Sequence, residues 1–166
     1  KVISQLIAAQ KKPLMLGGEH SITLGAVRAF KKAKEDFSVL QLDAHTDLRD
    51  VFEGTKYHHA CVMRRVREVN PSLVQAGIRS LCQEEADYIS KKKIQNIFFA
   101  PGLPTEEIIS SLKKKVYLTL DIDALDPSIM PSTGTPEPGG LGWYETLNFL
   151  EAVAKEKKII GVDVVE

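Results

Sequence analysis

Ser38-Val39-Leu40-Gln41-Leu42-Asp43-Ala44-His45-Thr46-Asp47 runs from a largely apolar stretch straight into two carboxylates and an imidazole. In an extended backbone alternate side chains share a face, so Asp43, His45 and Asp47 are expected to point together while Ala44 and Thr46 turn away. Crowding two carboxylates and an imidazole is costly unless a cation offsets the charge. A second apolar run, Val116-Tyr117-Leu118-Thr119-Leu120, ends in Asp121-Ile122-Asp123. The two clusters read as halves of one metal site.

Similar strand-like runs lie at Leu14–Leu16, Leu73–Ala76, Ile97–Ala100 and Ile159–Val165, beside Ser38–Leu42 and Val116–Leu120. Helices are predicted near Ser21–Lys34, Ala60–Val69, Gln83–Lys93, Thr105–Lys114 and Trp143–Glu156, and the chain opens in a helix-like pattern of Val2, Leu6 and Ala9. Apolar residues at helical spacing mark the faces expected to be buried: Ile22, Ala26, Ala29, Phe30 and Ala33; Val62, Val66 and Val69; Trp143, Leu147, Leu150 and Ala154. Continuous apolar strands alternating with helices predict an α/β fold, a three-layer α/β/α arrangement around a mainly parallel sheet. In such sheets ligands bind beyond the carboxyl ends of the strands. Glu19-His20, Asp43–Asp47, Asp121–Asp123 and Glu166 each follow a predicted strand, on the side where such folds keep their chemistry.

The chain has 166 residues, enough for one domain with a real core. Lysine plus arginine equals aspartate plus glutamate, 22 of each, so the net charge is zero and no nucleic-acid or membrane partner is expected. The runs Lys31-Lys32, Lys91–Lys93 and Lys113–Lys115 read as solvated helix faces. Cys61 and Cys82 lack metal or redox spacing, and no signal peptide is evident, so a reducing cytoplasm is expected. Residues 1–166 read as a single domain. Its opening at Lys1 inside a helical pattern and its close at Glu166 after a strand suggest incompleteness at both ends.

An oxygen-rich set with a few imidazoles suits Mn²⁺, with Fe²⁺, Co²⁺ and Zn²⁺ as competitors. His20, Asp43, His45, Asp47, Asp121 and Asp123 are more ligands than one ion draws, and enough for two if carboxylates bridge. Two ions roughly 3.5–4 Å apart share and acidify a water, which makes metal-assisted hydrolysis the leading reaction class.

Gly17-Gly18-Glu19-His20-Ser21, Asp43-Ala44-His45-Thr46-Asp47 and Leu120-Asp121-Ile122-Asp123-Ala124-Leu125-Asp126-Pro127 resemble the signatures of the ureohydrolases, the arginase and agmatinase family. The likeness continues through Pro131–Leu141 to Gly161-Val162-Asp163-Val164-Val165-Glu166. It implies a ureohydrolase domain with two Mn²⁺ ions. His20, Asp43, Asp47 and Asp121 would hold one ion, and His45, Asp43, Asp121 and Asp123 the other. It further implies that Asp47 supports the tetrahedral intermediate, that Glu166 pairs with the guanidinium, and that His59 shuttles the proton to the departing amine. His58 stands where a small polar residue is usual, so either His58 or His59 is a candidate to face the site.

Arginases carry asparagine and serine after the second motif, whereas this chain has Leu48-Arg49-Asp50-Val51-Phe52-Glu53-Gly54. That stretch, with Ala60–Arg65, resembles the prokaryotic agmatinases. Agmatine is therefore the expected substrate, with hydrolysis to putrescine and urea and a place in polyamine biosynthesis. Asp50 or Glu53 would suit a substrate's second cation, with Arg49 neutralised by either neighbour. The family also implies a homo-oligomer, a trimer or hexamer. Arginine or guanidinobutyrate as substrate, a non-catalytic metal- or polyamine-binding fragment, and an Asp-x-Asp phosphotransferase are the competing readings. Asp126-Pro127 reads as a turn, Thr133–Gly140 as a loop shaping the cleft mouth, and Asp163 as a partner for backbone or a helix end. Trp143 reads as core.

Overall fold

A computed structural model describes residues 1–166. The elements follow in the order α1 (Val2–Ala8), β1 (Leu14–Leu16), α2 (Ile22–Lys32), β2 (Ser38–Leu42), α3 (Val62–Val69) and β3 (Leu73–Ile78). Then come α4 (Gln83–Lys92), β4 (Ile97–Phe99), α5 (Thr105–Ser111), β5 (Lys115–Asp121), α6 (Trp143–Glu156) and β6 (Lys158–Val165). Single 3₁₀ turns precede α3 (His59–Cys61) and follow β5 (Ile122–Ala124).

The six strands form one sheet in the order β1-β6-β5-β2-β3-β4, and every neighbouring pair is parallel. Alternation along each strand divides the core. Val39, Leu73 and Tyr117 face the side covered by α1–α4 through Leu24, Val27, Phe30, Met63 and Val66. Leu40, Val74 and Leu118 face α5 and α6 through Ile108, Phe149 and Val153. This is the expected three-layer α/β/α arrangement. Each fully buried aliphatic contributes about 1.5–3 kcal/mol relative to exposure, which holds the layers together. Gly161 permits a close approach at the centre, because a Cβ there would lie 2.9 Å from Tyr117 Cε2.

Three expectations are corrected. Helix α5 stops at Ser111, and the Lys113 backbone N–H turns to Ser38 Oγ at 2.9 Å. Lys113 and Lys115 therefore pair with Asp36 and Glu35 instead of forming a helix face. On α6 the buried stripe is Thr146, Phe149 and Val153, while Trp143 is 53% and Leu147 42% exposed. Two overlapping apolar stripes satisfy the same helical period there, and only docking on the sheet chooses between them. Trp143 is thus a surface residue.

The chain leaves β2 towards β3 and β4 on one side, and leaves β5 towards β6 on the other. The strand order reverses between β2 and β5, and the crevice at their carboxyl ends is the place where open α/β sheets bind ligands. Leu42 is in register with Leu120, so Asp43 and Asp121 emerge at the same height on either side of it. Asp121 is in register with Val165, which carries Glu166 to the same rim.

Candidate metal centre

Asp43 and Asp121 end their strands in the same way. Asp43 Oδ1 accepts the His45 backbone N–H at 2.6 Å, and Asp121 Oδ1 accepts that of Asp123 at 2.9 Å. Such side-chain-to-backbone bonds two residues on favour a turn over continued strand. Backbone alternation is therefore not what gathers Asp43, His45 and Asp47. The strand stops at Leu42, and Asp47 sits in the left-handed region at φ 53°, which aspartate tolerates better than most residues.

The turns nonetheless converge on one point. His20 Nδ1 lies 3.1 Å from Asp43 Oδ2, 3.2 Å from Asp47 Oδ2 and 3.2 Å from Asp121 Oδ2. His45 Nδ1 lies 2.8 Å from Asp123 Oδ2 and 3.6 Å from Asp43 Oδ1. Two groups suited to a cation result, His20–Asp43–Asp47 and Asp43–His45–Asp123, and Asp43 offers one oxygen to each. Asp121 joins the first through its contact with His20. The six residues singled out from sequence are thereby brought together.

The electrostatics favour a positive charge among these carboxylates. Burial and the charge of Asp43 push Asp47 up to about 7. Burial raises Asp121 to about 8, with Asp43 and Asp123 adding to it against the His20 hydrogen bond. Burial would lower both imidazoles, yet contact with the carboxylates outweighs it, raising His20 well above its ordinary value and His45 to about 11. Burial also opposes ionisation of Asp43, but hydrogen bonds from His20 and His45 hold it below the usual carboxylate range. Buried His20 Nδ1 faces three carboxylates without a well-aligned hydrogen bond. Such a convergence of lone pairs is the donor set of a hard or borderline divalent cation.

Partners that the sequence reading missed hold these ligands. His20 Nε2 meets Thr119 Oγ1 at 2.8 Å, which lies 3.3 Å from Thr23 Oγ1. Thr23 Oγ1 donates to Asp163 Oδ2 at 3.0 Å, and the Tyr117 hydroxyl donates to the same oxygen at 2.5 Å. Asp163 thus pairs with two side-chain hydroxyls, one of them from Thr23 in the first turn of α2, the helix-end partner expected of it, and the other from Tyr117. Gln41 Nε2 donates to Asp43 Oδ2 at 2.5 Å, and Glu85 accepts from the Thr46 hydroxyl at 2.6 Å and the Leu48 N–H at 2.8 Å. Gln41 and Thr119 stand two residues before Asp43 and Asp121. The period of two was a usable signal for them; nothing local marked Glu85.

A cavity of about 330 Å³ opens over the cluster, lined among others by Asp47, Arg49, Phe52, His59, Cys82 and Glu166. His59 Nδ1 lies 3.3 Å from Glu19 Oε2 and 3.6 Å from Glu166 Oε1, and Glu166 Oε1 accepts the His20 backbone N–H at 2.8 Å. His58 turns away; its Nδ1 accepts the Ala60 N–H and its ring packs on Phe52. The expectation for the Leu48–Gly54 stretch is corrected as well. Asp50 pairs with Arg65 at 2.6 Å and Glu53 lies 3.6 Å from His58, so neither neutralises Arg49, which lies over the Phe52 ring. Asp126 accepts the N–H groups of Ser128, Gly139 and Gly140, the turn expected of it. No helix is long and apolar enough to cross a membrane.

The chain is similar along nearly its whole length to known proteins. A family model described as Arginase family matches residues 1–166. An N(1)-aminopropylagmatine ureohydrolase from Synechocystis sp. is 47% identical over 99% of this chain and 56% of its own length. An agmatinase from Pyrococcus horikoshii is 40% identical over 93% of this chain and 54% of its own. The crystal structure of an agmatine ureohydrolase from Thermoplasma volcanium superposes with a TM-score of 0.85 at 35% identity, covering 99% of this chain and 57% of that one. The chain spans about half the length of the curated relatives it matches.

Proposed function

This chain belongs to the arginase family, and from that premise we propose that the protein hydrolyses a guanidino compound, most simply agmatine to putrescine and urea. The observation that carries the reading is the convergence of three carboxylate oxygens on buried His20 Nδ1, with His59 and Glu166 on the wall of the same cavity.

The donor set suits two Mn²⁺ ions: His20, Asp43, Asp47 and Asp121 would hold one, and His45, Asp43, Asp121 and Asp123 would hold the other. When bound, the ions supply a water acidified towards neutrality as nucleophile. Glu166 orients the guanidinium, since a carboxylate matches its planar array of N–H donors. Asp47 accepts hydrogen bonds from the substrate nitrogens as the guanidinium carbon becomes tetrahedral. His59, whose Nδ1 lies 3.6 Å from Glu166 Oε1, carries a proton to the departing amine nitrogen. The carbon gains the water oxygen as its bond to the amine nitrogen breaks; both water hydrogens end on that amine, which leaves as an ammonium, and urea remains. A homo-oligomer and a cytoplasmic location, where the free thiols of Cys61 and Cys82 stay reduced, complete the reading.

A second substrate is favoured by one observation. The Synechocystis relative, at 47% identity, is named for an agmatine extended by an aminopropyl group. Urea release from Mn²⁺-loaded protein tests both, with agmatine, N(1)-aminopropylagmatine, arginine and guanidinobutyrate side by side and a chelated control. Metal-dependent urea from either agmatine compound and little from arginine is expected. Bound metal with no urea from any of the four overturns the proposal in favour of a binding protein.

A further inference from the structure

The imidazole His45 has its Nδ1 turned to Asp123 and Asp43, so a cation held there takes that nitrogen unprotonated. The ring hydrogen must then sit on Nε2, which faces the Glu137 carboxylate, Oε1 at 3.7 Å. That oxygen is itself held, because Ser80 Oγ donates to it at 2.8 Å. Ser80 is fixed in turn against the His45 segment; its backbone N–H donates to the Ala44 carbonyl at 2.9 Å, and Ser80 and His45 form an isolated parallel bridge.

The loop carrying Glu137 is tied down by Arg79. Its Nη2 donates to the Glu137 carbonyl at 2.8 Å and to the Asp123 carbonyl at 2.7 Å. Its Nη1 reaches the carbonyls of Gly77 and Ala124 at 3.2 and 3.3 Å. One guanidinium therefore joins the Thr133–Gly140 loop to the turn that presents Asp123. The neighbouring hydroxyl aims the Glu137 carboxylate at the far side of His45.

We propose that Glu137, aimed by Ser80 and Arg79, is a positioning residue for His45 and strengthens the hold of that half of the site on its cation. This rests on the two-ion reading above. A metal-bound imidazole usually gives its other N–H to a carboxylate, carbonyl or water, and the partner fixes the tautomer and raises ligand basicity. At 3.7 Å the contact is one of charge with an N–H dipole, not a formed hydrogen bond. The two halves of the site then differ in kind. His20 Nε2 meets the neutral hydroxyl of Thr119, and His45 Nε2 meets an anion. The loop does more than shape the cleft mouth.

Manganese titration calorimetry on chelator-stripped protein, with metal content measured alongside, tests this without reference to turnover. Wild type is expected to bind two ions. Glu137→Ala should weaken one binding step by up to roughly tenfold, the low end for outer partners, and leave the other unchanged. Glu137→Gln, which keeps an oxygen dipole towards Nε2–H but not the charge, should lose less than Glu137→Ala, and Ser80→Ala should weaken the same step alone. A general structural role for Glu137 would weaken both steps together, and that result overturns the proposal. Two ions bound with wild-type affinity in Glu137→Ala also overturns it; if that variant does not fold, wild-type affinity in Glu137→Gln and Ser80→Ala does the same. Wild type binding fewer than two ions overturns the two-ion reading, and this inference with it.

Discussion

Thr119→Val removes one oxygen from behind the metal centre and little else. Thr119 is fully buried within β5, and valine keeps its β-branched shape and strand preference. If His20 Nδ1 faces a cation, Nε2 carries the ring hydrogen and donates to Thr119 Oγ1 at 2.8 Å. His20 is 1% exposed, so no water replaces the lost acceptor. Leaving a buried donor unsatisfied costs about 1–3 kcal/mol. Outer partners of metal-binding histidines change affinity by roughly 10–100-fold, which at about 1.4 kcal/mol per decade is about 1.4–2.8 kcal/mol. The two routes agree. Mn²⁺ titration calorimetry should therefore show one of two binding steps weakened by at least about tenfold. Affinity within twofold of wild type, with the strand intact by circular dichroism, would refute the reasoning.

Three further outcomes are expected. Tyr117→Phe strips a buried donor from Asp163 and should cost about 1.5–3 kcal/mol, or roughly 3–12 °C in Tm for a chain of this size; an unchanged Tm contradicts it. Glu166→Gln should lower kcat/KM for agmatine by roughly 10–150-fold through loss of a charge-assisted pair of about 1.5–3 kcal/mol, and wild-type kinetics would remove Glu166 from substrate binding. Chelator-stripped protein should lose stability as pH rises from 5 to 8. Asp47 and Asp121, raised to about 7 and 8, keep protons in the folded state that the unfolded chain releases near pH 4, so their contribution fades as pH climbs through those values. His45, raised to about 11, acts in the same direction above its ordinary pKa, whereas the depressed Asp43 acts only below the usual carboxylate range. Saturating Mn²⁺ should reverse the trend, since deprotonated ligands bind it better as pH rises. Thermal scans across this range check the sign, and a metal-free Tm that climbs with pH would be the opposite result.

Several features that position the centre were hidden from a local reading. The period of two was misleading at Asp43–Asp47, where an Asp-to-backbone turn and a left-handed Asp47 do the gathering. It was informative at Gln41 and Thr119, whose place before each acidic pair marks them as the residues behind the ligands. Helix α6 presented two apolar stripes of equal merit, and the sheet selected Phe149 and Val153 over Trp143 and Leu147. The neighbours of Arg49 looked like substrate-binding acids, yet Arg65, fifteen residues beyond Asp50, claims one of them.

From sequence alone came the alternation of apolar strands and helices, the placing of every candidate ligand after a strand, and hence the α/β class and the rim where its chemistry sits. Those signals are local, because side-chain period and turn chemistry act over a few residues. Tertiary structure alone decided that β5 lies beside β2 and opens a crevice between Asp43 and Asp121. It decided too that His59 faces the cavity while His58 does not, and that Thr119 and Glu137 stand behind the two imidazoles. His20 meets Thr119 across 99 positions and His45 meets Asp123 across 78. Contacts at that separation exist only once burial of the whole sheet has offset the entropy of closing such loops.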